Sequence, residues 1–475
     1  MKRSAPLAIC ATATLGLTAA GAAPSADAGR PEPPPAYVPL PRAPSALSPS
    51  PRPLVPVTPA PSATFTKPAE RDDFNGDGYG DLVLRAFNQG SGPERSFTEV
   101  LYGGPGGPAP RSHQSIGPTT PGMPPDAHVG PFTSADFDRD GYADLAISVT
   151  GYPESTSVIA IFYGSATGLG GRSTMLKTPG NGHDELAAGD FDGRGVPDLV
   201  AVGNGKCRLF RNISTKPVTG TNVYVAGRRN KSKGPLPAMV PSRYAWARGP
   251  AVADVNGDHR ADLVLVAETP AADFEEGESF WSLEVRLGTA GGLSTDAVVF
   301  GEEQITQRWS LTAADIDGDG RADVTIPGRD GGTVITFRGT SRGLGPGKRT
   351  KLPSENGELH VSAAGDTDGD GSADLALNVG SGITILPGGG NGLVPSRVRR
   401  FDRTTPGLPA APGNALRWFG DGTFLGDLNG DGKADLVIEA PQENQPAQDR
   451  VFVLPGSDSG ITLEGASTFR AADLK

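Results

Sequence analysis

A nine-residue acidic motif occurs seven times in this chain, and no other feature constrains the fold as strongly. Every copy has Asp at positions 1 and 9 and Asp or Asn at position 3, and six copies have Asp at position 5. Successive copies begin 63, 54, 64, 61, 51 and 61 residues apart, and such a regular period is typical of a solenoid or a propeller. The copies are residues 73–81, 136–144, 190–198, 254–262, 315–323, 366–374 and 427–435.

The sequence around each motif repeats as well. A short apolar segment precedes the motif, as in Leu311–Ala314, and an apolar run such as Leu145–Val149 follows it. A third run ends in Gly, as in Val158–Gly164, and a fourth extended stretch comes after a Gly-Leu turn. Four short strands per repeat predict an all-β fold, a seven-bladed β-propeller with four-stranded blades. The 67 Gly and 45 Pro residues fit many short strands joined by tight turns.

The motif itself predicts calcium-binding loops. Several carboxylates within nine residues repel one another, and a hard divalent cation held by oxygen ligands offsets that repulsion. Positions 1, 3, 5 and 9 would supply side-chain oxygens and position 7 its backbone carbonyl, while Gly at positions 4 and 6 permits a tight turn. The expected ligands are Asp73, Asn75, Asp77, Tyr79, Asp81, Asp136, Asp138, Asp140, Tyr142, Asp144, Asp254, Asn256, Asp258, Arg260, Asp262, Asp315, Asp317, Asp319, Arg321, Asp323, Asp366, Asp368, Asp370, Ser372, Asp374, Asp427, Asn429, Asp431, Lys433 and Asp435.

The third copy differs from the rest. It has Arg194 at position 5, where a ligand belongs, and Pro197 beside the last Asp. We therefore expect up to six Ca²⁺ ions per chain, with the loop Asp190–Asp198 empty. On this reading the substitution Arg194→Asp should add an ion.

The motif, the apolar strand after it and the Tyr-Gly-like turn resemble the FG-GAP repeat of integrin α chains and the related VCBS repeats of bacterial exported proteins. The resemblance covers residues 64–475 and implies a seven-bladed propeller with calcium in loops between the first two strands of several blades. Integrins keep the motif in a few blades, whereas every repeat carries it here. Pairing with an integrin β chain is not implied, because the resemblance is to the head domain alone.

The first 63 residues predict segments outside the propeller. Lys2 and Arg3 precede an apolar run from Leu7 to Ala23, which predicts a signal peptide over residues 1–28 and a secreted protein. Residues 29–63 are rich in Pro, Ser and Ala and predict a disordered linker. After removal of Cys10 with the leader, Cys207 would be the single cysteine, so no internal disulfide is expected.

Composition and motifs leave two function classes open. A net charge of −11 argues against a nucleic-acid partner, and no later segment predicts a membrane span. The first class is a monomeric ligand-binding or adhesion module for a protein or a carbohydrate. The alternative is an exported hydrolase or lyase acting on polysaccharide or phosphoester, which would need converging acids such as Asp273, Glu275, Glu276, Glu278 and Glu439. No catalytic motif is recognisable, so the first class is favoured.

The expected ligand face is opposite the motif loops. Connections between second and third strands are long in repeats one (Phe87 to Arg95), two (Gly151 to Ser155), four (Ala267 to Ser279) and seven (Pro441 to Arg450). Repeats seven, one and two are neighbours in a closed ring, so three of the four long loops would share one surface. The residues expected there are Asn88, Gln89, Arg95, Tyr152, Glu154, Gln442, Glu443, Asn444 and Arg450.

Overall fold

The computed structural model describes most of the repeat region, and all described residues belong to the unit Val57–Lys475. They are residues 72–87, 96–124, 127–151, 157–178, 185–203, 206–214, 218, 220–223, 246–270, 279–300, 310–328, 330–353, 359–408, 419–420, 422–440 and 449–474. The expected signal peptide and linker, residues 1–63, lie outside this set. Within it, no helix has the length and apolar character that crossing a bilayer requires.

Each repeat forms one antiparallel sheet, or blade, in which sequential strands are neighbours. Blade one contains β1 Leu82–Phe87, β2 Ser96–Leu101 and β3 His113–Ile116; blade two β4 His128–Ala135, β5 Asp144–Thr150, β6 Val158–Phe162 and β7 Ser173–Lys177; blade three β8 Glu185–Gly189, β9 Asp198–Gly203, β10 Lys206–Phe210 and β11 Gly220–Val223. Blade four contains β12 Trp246–Ala253, β13 Asp262–Pro270, β14 Ser279–Arg286 and β17 Val298–Phe300, with a small hairpin of β15 Gly288–Thr289 and β16 Gly292–Leu293. Blade five contains β18 Thr312–Ala314, β19 Asp323–Pro327, β20 Thr333–Thr340 and β21 Gly343–Lys351; blade six β22 Leu359–Gly365, β23 Asp374–Val379, β24 Gly382–Leu386 and β25 Arg399–Asp402; blade seven β26 Gly422–Gly426, β27 Asp435–Ala440, β28 Arg450–Leu454 and β29 Ser467–Arg470. Two short 3-10 helices, Pro395–Arg397 and Ala471–Leu474, complete the described secondary structure.

The predicted seven-bladed propeller with four-stranded blades is confirmed. Six blades show all four strands, and blade one shows three because the segment before its motif lies outside the described residues. In blades two to seven the motif connects the first strand to the second, and in blade one it directly precedes β1, so the motif loops share one end of the ring. The connections between second and third strands lie at the other end, because successive strands are antiparallel.

Apolar side chains fill the space between neighbouring blades. Leu145–Val149 in β5 is buried at every position, because the sheet packs against another blade on each face. This double burial explains why the second strands are continuous apolar runs rather than alternating ones. The second motif residue anchors the packing in six blades: Phe74, Phe137, Phe191, Val255, Ile316 and Leu428 each belong to the cluster shared with the next blade.

The ring closes between the last blade and the first. Leu82, Leu84 and Leu101 of blade one pack in one cluster with Leu428 and Val453 of blade seven. The first strands surround a central cavity of about 1600 Å³, which the motif loops border at one mouth. Among its described lining residues there is no histidine, and the carboxylates are Asp72 and members of the motif loops.

We predict that Gly164, which follows the third strand of blade two, does not tolerate a side chain. A Cβ on Gly164 would lie 2.2 Å from the backbone oxygen of Ala143 and 2.9 Å from that of Phe74 in the preceding blade. Gly164→Ala should therefore lower the free energy of unfolding by about 1–3 kcal/mol. Gly171→Ala is the matched control, because a Cβ there meets nothing within 4 Å. Equal urea midpoints for the two variants would contradict this packing.

Candidate metal centres

The carboxylate at position 1 shapes the backbone of each motif loop. In the first copy, Asp73 Oδ1 accepts a hydrogen bond from the Gly76 N–H at 2.6 Å, and Oδ2 accepts one from the Gly78 N–H at 2.9 Å. Gly76 and Gly78 have φ angles of 72° and 88°, as the sequence predicted for positions 4 and 6. Arg139 and His259 replace these glycines in copies two and four and keep a positive φ. The loop geometry therefore holds even where Gly is absent.

The carboxylate at position 9 clamps two strands together. Asp144 is fully buried, and its two oxygens accept hydrogen bonds from the N–H groups of Phe137 and Gly164, both at 2.8 Å. The second bond joins the motif to the end of the third strand. Equivalent Gly N–H donors serve Asp81, Asp262, Asp323, Asp374 and Asp435. Position 9 is thus a structural residue as well as an expected ligand, a role that sequence analysis missed.

The motif also bonds each blade to its neighbour. The N–H at position 8 donates to the carbonyl at position 1 of the preceding motif, as Ala143 does to Asp73 at 2.9 Å. The same bond is formed by Gly80, Ala261, Ala322, Ala373 and Ala434. Position 8 of the third copy is Pro197, which has no N–H, so the junction between blades two and three lacks this bond.

Several predicted ligands converge. Three carboxylate oxygens lie within 4.8 Å of one another in copy two, from Asp136, Asp138 and Asp144. Positions 1, 3 and 5 converge in the same way in copies five and six, through Asp315, Asp317, Asp319 and Asp366, Asp368, Asp370. The Oδ1 atoms of Asp138 and Asp317 are buried and have no hydrogen-bond partner. Buried, unpaired carboxylate oxygens beside other carboxylates fit a hard cation. The expected carbonyl ligand at position 7 stays a prediction.

The electrostatics of the loops fit the same reading. Burial, reinforced by the neighbouring Asp138 and Asp140 carboxylates, raises the pKa of Asp144 to about 8. Burial and the same kind of repulsion raise the pKa of Asp140 to about 6. A carboxylate with a raised pKa is destabilised in its charged form, and a bound cation would relieve that.

Arginines reach position 3 wherever that position is Asp, which sequence analysis also missed. Arg172 Nη1 lies 2.7 Å from Asp138 Oδ2, and Arg397 Nη2 lies 2.9 Å from Asp368 Oδ2. Arg338 forms an ion pair with Asp317 in copy five. These arginines come from the third strand or its connection to the fourth, far from the motif in sequence. Copies one, four and seven have Asn at position 3, so that position carries no charge to neutralise.

The third copy holds two arginines instead of one. Arg194 Nε lies 2.6 Å from Asp192 Oδ2, and Arg194 Nη2 lies 3.7 Å from Asp198 Oδ1. Arg211 forms an ion pair with Asp192, and its Nε lies 3.5 Å from Asp198 Oδ2.

Arg211 occupies the place that Arg338 has in blade five, because Phe210 pairs with Leu199 as Phe337 pairs with Val324. Asn212 stands where the other six blades have the Gly that ends the third strand. Aligning the ends of the third strands would have revealed it.

Of the acids considered for catalysis, the structure describes Glu439 alone. Asp273, Glu275, Glu276 and Glu278 lie outside the described residues, and Glu439 is a half-buried residue of β27. Cys207 is buried between blades three and four, where burial raises its thiol pKa to about 12. The Gly339–Gly343 segment is the tight turn between β20 and β21, with Thr340 Oγ1 donating to the Gly343 carbonyl.

Family comparisons agree with the motif and the fold. A model of the FG-GAP-like repeat matches residues 136–201 and 190–265, and a model of the FG-GAP repeat matches residues 419–454. The chain is an FG-GAP repeat β-propeller. Integrin alpha-IIb of Mus musculus is 34% identical to this propeller over 158 residues, which are 29% of this chain and 15% of the integrin. Integrin alpha-PS5 of Drosophila melanogaster is 28% identical over 204 residues, 39% of this chain and 20% of the integrin.

The FG-GAP propeller thus matches at most a fifth of the length of either integrin. Among solved structures, an exotype rhamnogalacturonan lyase covers 83% of this chain, with 73% of its own length, at 16% identity and a TM-score of 0.39. A likeness at that level carries no information about activity.

We predict that positions 5 and 9 of one loop respond differently to substitution. Asp144→Asn should lower the free energy of unfolding by about 1–3 kcal/mol even in a chelator, because an amide cannot accept both backbone N–H groups. Asp140→Asn keeps an oxygen for the Tyr142 N–H, which lies 3.1 Å from Asp140 Oδ1. It should reduce the stabilisation by Ca²⁺ without destabilising the chelated protein. Identical melting shifts for the two variants in chelator would contradict the clamp.

Proposed function

We propose that this FG-GAP propeller is a secreted, calcium-binding module that presents a ligand-binding or adhesive surface to a protein or a carbohydrate. The observation that carries the calcium part is the convergence of carboxylate oxygens in the motif loops, with the buried Oδ1 atoms of Asp138 and Asp317 unpaired. The resemblance to the integrin α head supports the ligand-binding part. Secretion rests on the predicted leader, residues 1–28.

Calcium would stabilise the blades through the motif loops. Each loop joins the first and second strands and bonds to the neighbouring blade, so relief of carboxylate repulsion acts on both contacts. An ion that binds the folded chain alone stabilises it by about 2.7 kcal/mol per site at a concentration 100 times its Kd. An oxygen shell supplied by the protein favours Ca²⁺ over the smaller Mg²⁺.

We predict a large fall in Tm when a chelator is added, reversed better by Ca²⁺ than by Mg²⁺. Elemental analysis of the gel-filtered protein should find up to six Ca²⁺ ions per chain. Scanning calorimetry with and without chelator measures the first effect. A melting curve that does not change in chelator would refute the calcium proposal.

The ligand surface would lie at the end of the ring opposite the motif loops. The connections after β1, β5 and β27 begin at that end, and blades seven, one and two pack against one another in sequence. Most of the proposed ligand residues lie outside the described residues, whereas Arg450 is the first residue of β28. Short connections in other blades contrast with these, such as Gly380-Ser381 between β23 and β24. A rigid ring that positions several long loops is a common way to build a binding surface.

We predict that shortening the Pro441 to Arg450 connection weakens binding to the protein's ligand and leaves calcium-dependent melting intact. A glycan array, beside a pull-down from the medium around the secreting cells, identifies the ligand with the unchanged chain. The shortened chain is then measured against the same ligand. Binding that survives shortening in blades seven, one and two would move the surface to the Ala267 to Ser279 connection.

A further inference from the structure

The last strands of blades five and six are strongly basic, although the chain as a whole carries a net charge of −11. The last strands of the seven blades contain seven Lys and Arg residues, and five of these lie in β21 and β25. The acids within the two strands are limited to Asp402, which leaves a net charge of +4. Glu355 and Glu358, which follow β21, lie outside the described residues. The five basic residues are Lys348, Arg349, Lys351, Arg399 and Arg400.

Protection of strand edges does not account for this distribution. Lys and Arg on an outer strand discourage pairing with the edge of another sheet. The last strand ends its sheet in all seven blades, yet β3, β11 and β17 contain neither Lys nor Arg. Positive charge that is confined to two adjacent blades therefore indicates a local role.

Strand register turns charges from both blades toward one groove. Lys348 pairs with Thr336, and Arg400 pairs with Thr384. Both pairs lie on the faces that carry the apolar cluster between blades five and six. Lys348 Nζ donates to the carbonyl of Asn391 in blade six at 3.5 Å, which bridges the two blades. The groove between β21 and β25 thus has a cation on each side.

The basic side chains keep their charge exposed at the rim of the ring, since all five residues are exposed. Arg399 Nη1 donates to the Ser459 carbonyl, and Arg400 Nη2 donates to the Val379 carbonyl, both at 3.3 Å. Bonds to backbone carbonyls orient the guanidinium groups and leave their positive charge in place. Arg400 Nε lies 3.8 Å from Asp402 Oδ2, and such an exposed pair is weak.

The chemistry of this groove fits a chain of acidic sugars. Cations repeated along two strands attract a polymer with regularly spaced carboxylates or sulfates. Thr336 and Thr350 add hydroxyl groups on the same face of blade five as Lys348. A nucleic acid fits less well, because the aromatic residue of the two strands, Phe401, is buried and offers no surface for stacking bases. A membrane surface fits less well, because neither strand exposes a large apolar side chain.

We propose that the last strands of blades five and six bind an acidic polysaccharide in the groove between Lys348 and Arg400. This surface is separate from the proposed ligand surface of blades seven, one and two. It rests on the proposed function for the carbohydrate class of the ligand, and it uses none of the motif loops. Binding would therefore depend strongly on salt, because each contact releases counterions from the polymer.

Affinity for polygalacturonate and for heparin, measured with the full-length chain at a series of NaCl concentrations, tests the proposal. The wild-type chain should bind both polymers and should not bind neutral dextran. Arg399→Gln/Arg400→Gln and Lys348→Gln/Lys351→Gln should each reduce the slope of log affinity against log salt by about one to two units. Arg399→Lys/Arg400→Lys keeps the charge and should keep most of the slope.

The matched control is Arg111→Gln/Lys177→Gln, which removes the same charge from exposed positions of blades one and two. An equal loss of slope in this control would overturn the proposal, because binding would then follow net charge alone. A wild-type chain that binds neither polymer, or that binds single-stranded DNA more tightly than both at equal salt, would also overturn it. Binding that persists in a chain without bound Ca²⁺ would refute the calcium function and support the basic groove.

Discussion

The rest of the blade depends on the hydrogen bonds that the buried carboxylate at position 9 of the motif accepts from two backbone N–H groups. In copy two, Asp144 holds the second motif residue and the end of the third strand through two backbone N–H groups. Those two bonds fix the motif loop against the sheet, and the loop in turn bonds to the preceding blade through the N–H of Ala143 at position 8, which donates to the Asp73 carbonyl. One side chain thereby links the strand order within a blade to the packing between blades. Such a bond to a charged group in a dry environment is strong, and losing its partner is costly.

The same design concentrates negative charge at one end of the ring. Burial favours the neutral form of the carboxylate at position 9, and the neighbouring acids repel its charged form. The loops therefore need positive charge from outside the motif. The chain supplies part of it with arginines from the outer half of the blade, at every copy whose position 3 is Asp. The remainder is what a divalent cation would provide, except in blade three, where Arg194 is already inside the loop.

The two ends of the ring consequently have different chemistry. The motif end is built from short loops held by hydrogen bonds to carboxylates and by contacts between blades, which leaves it little freedom to vary. The opposite end carries connections of unequal length between the second and third strands. A scaffold with one fixed end and one variable end suits a module that recognises a partner through its variable loops. The seven apolar clusters between blades keep those loops at constant spacing.

The sequence by itself determined the number of blades, the four-strand pattern and the position of the loops, because the acidic motif and the apolar runs around it occur in all seven repeats. Apolar runs after Asp144 or Asp435 specify strands buried on both faces, and Gly at positions 4 and 6 specifies the turn. Only the tertiary structure decided which distant residues complete each loop. Arg172, Arg338 and Arg211 lie 19 to 34 residues from the acids they contact at position 3 and reach them because the third strand returns beside the motif. Neutralisation of charge acts through space, so a pattern read along the chain could not assign those partners.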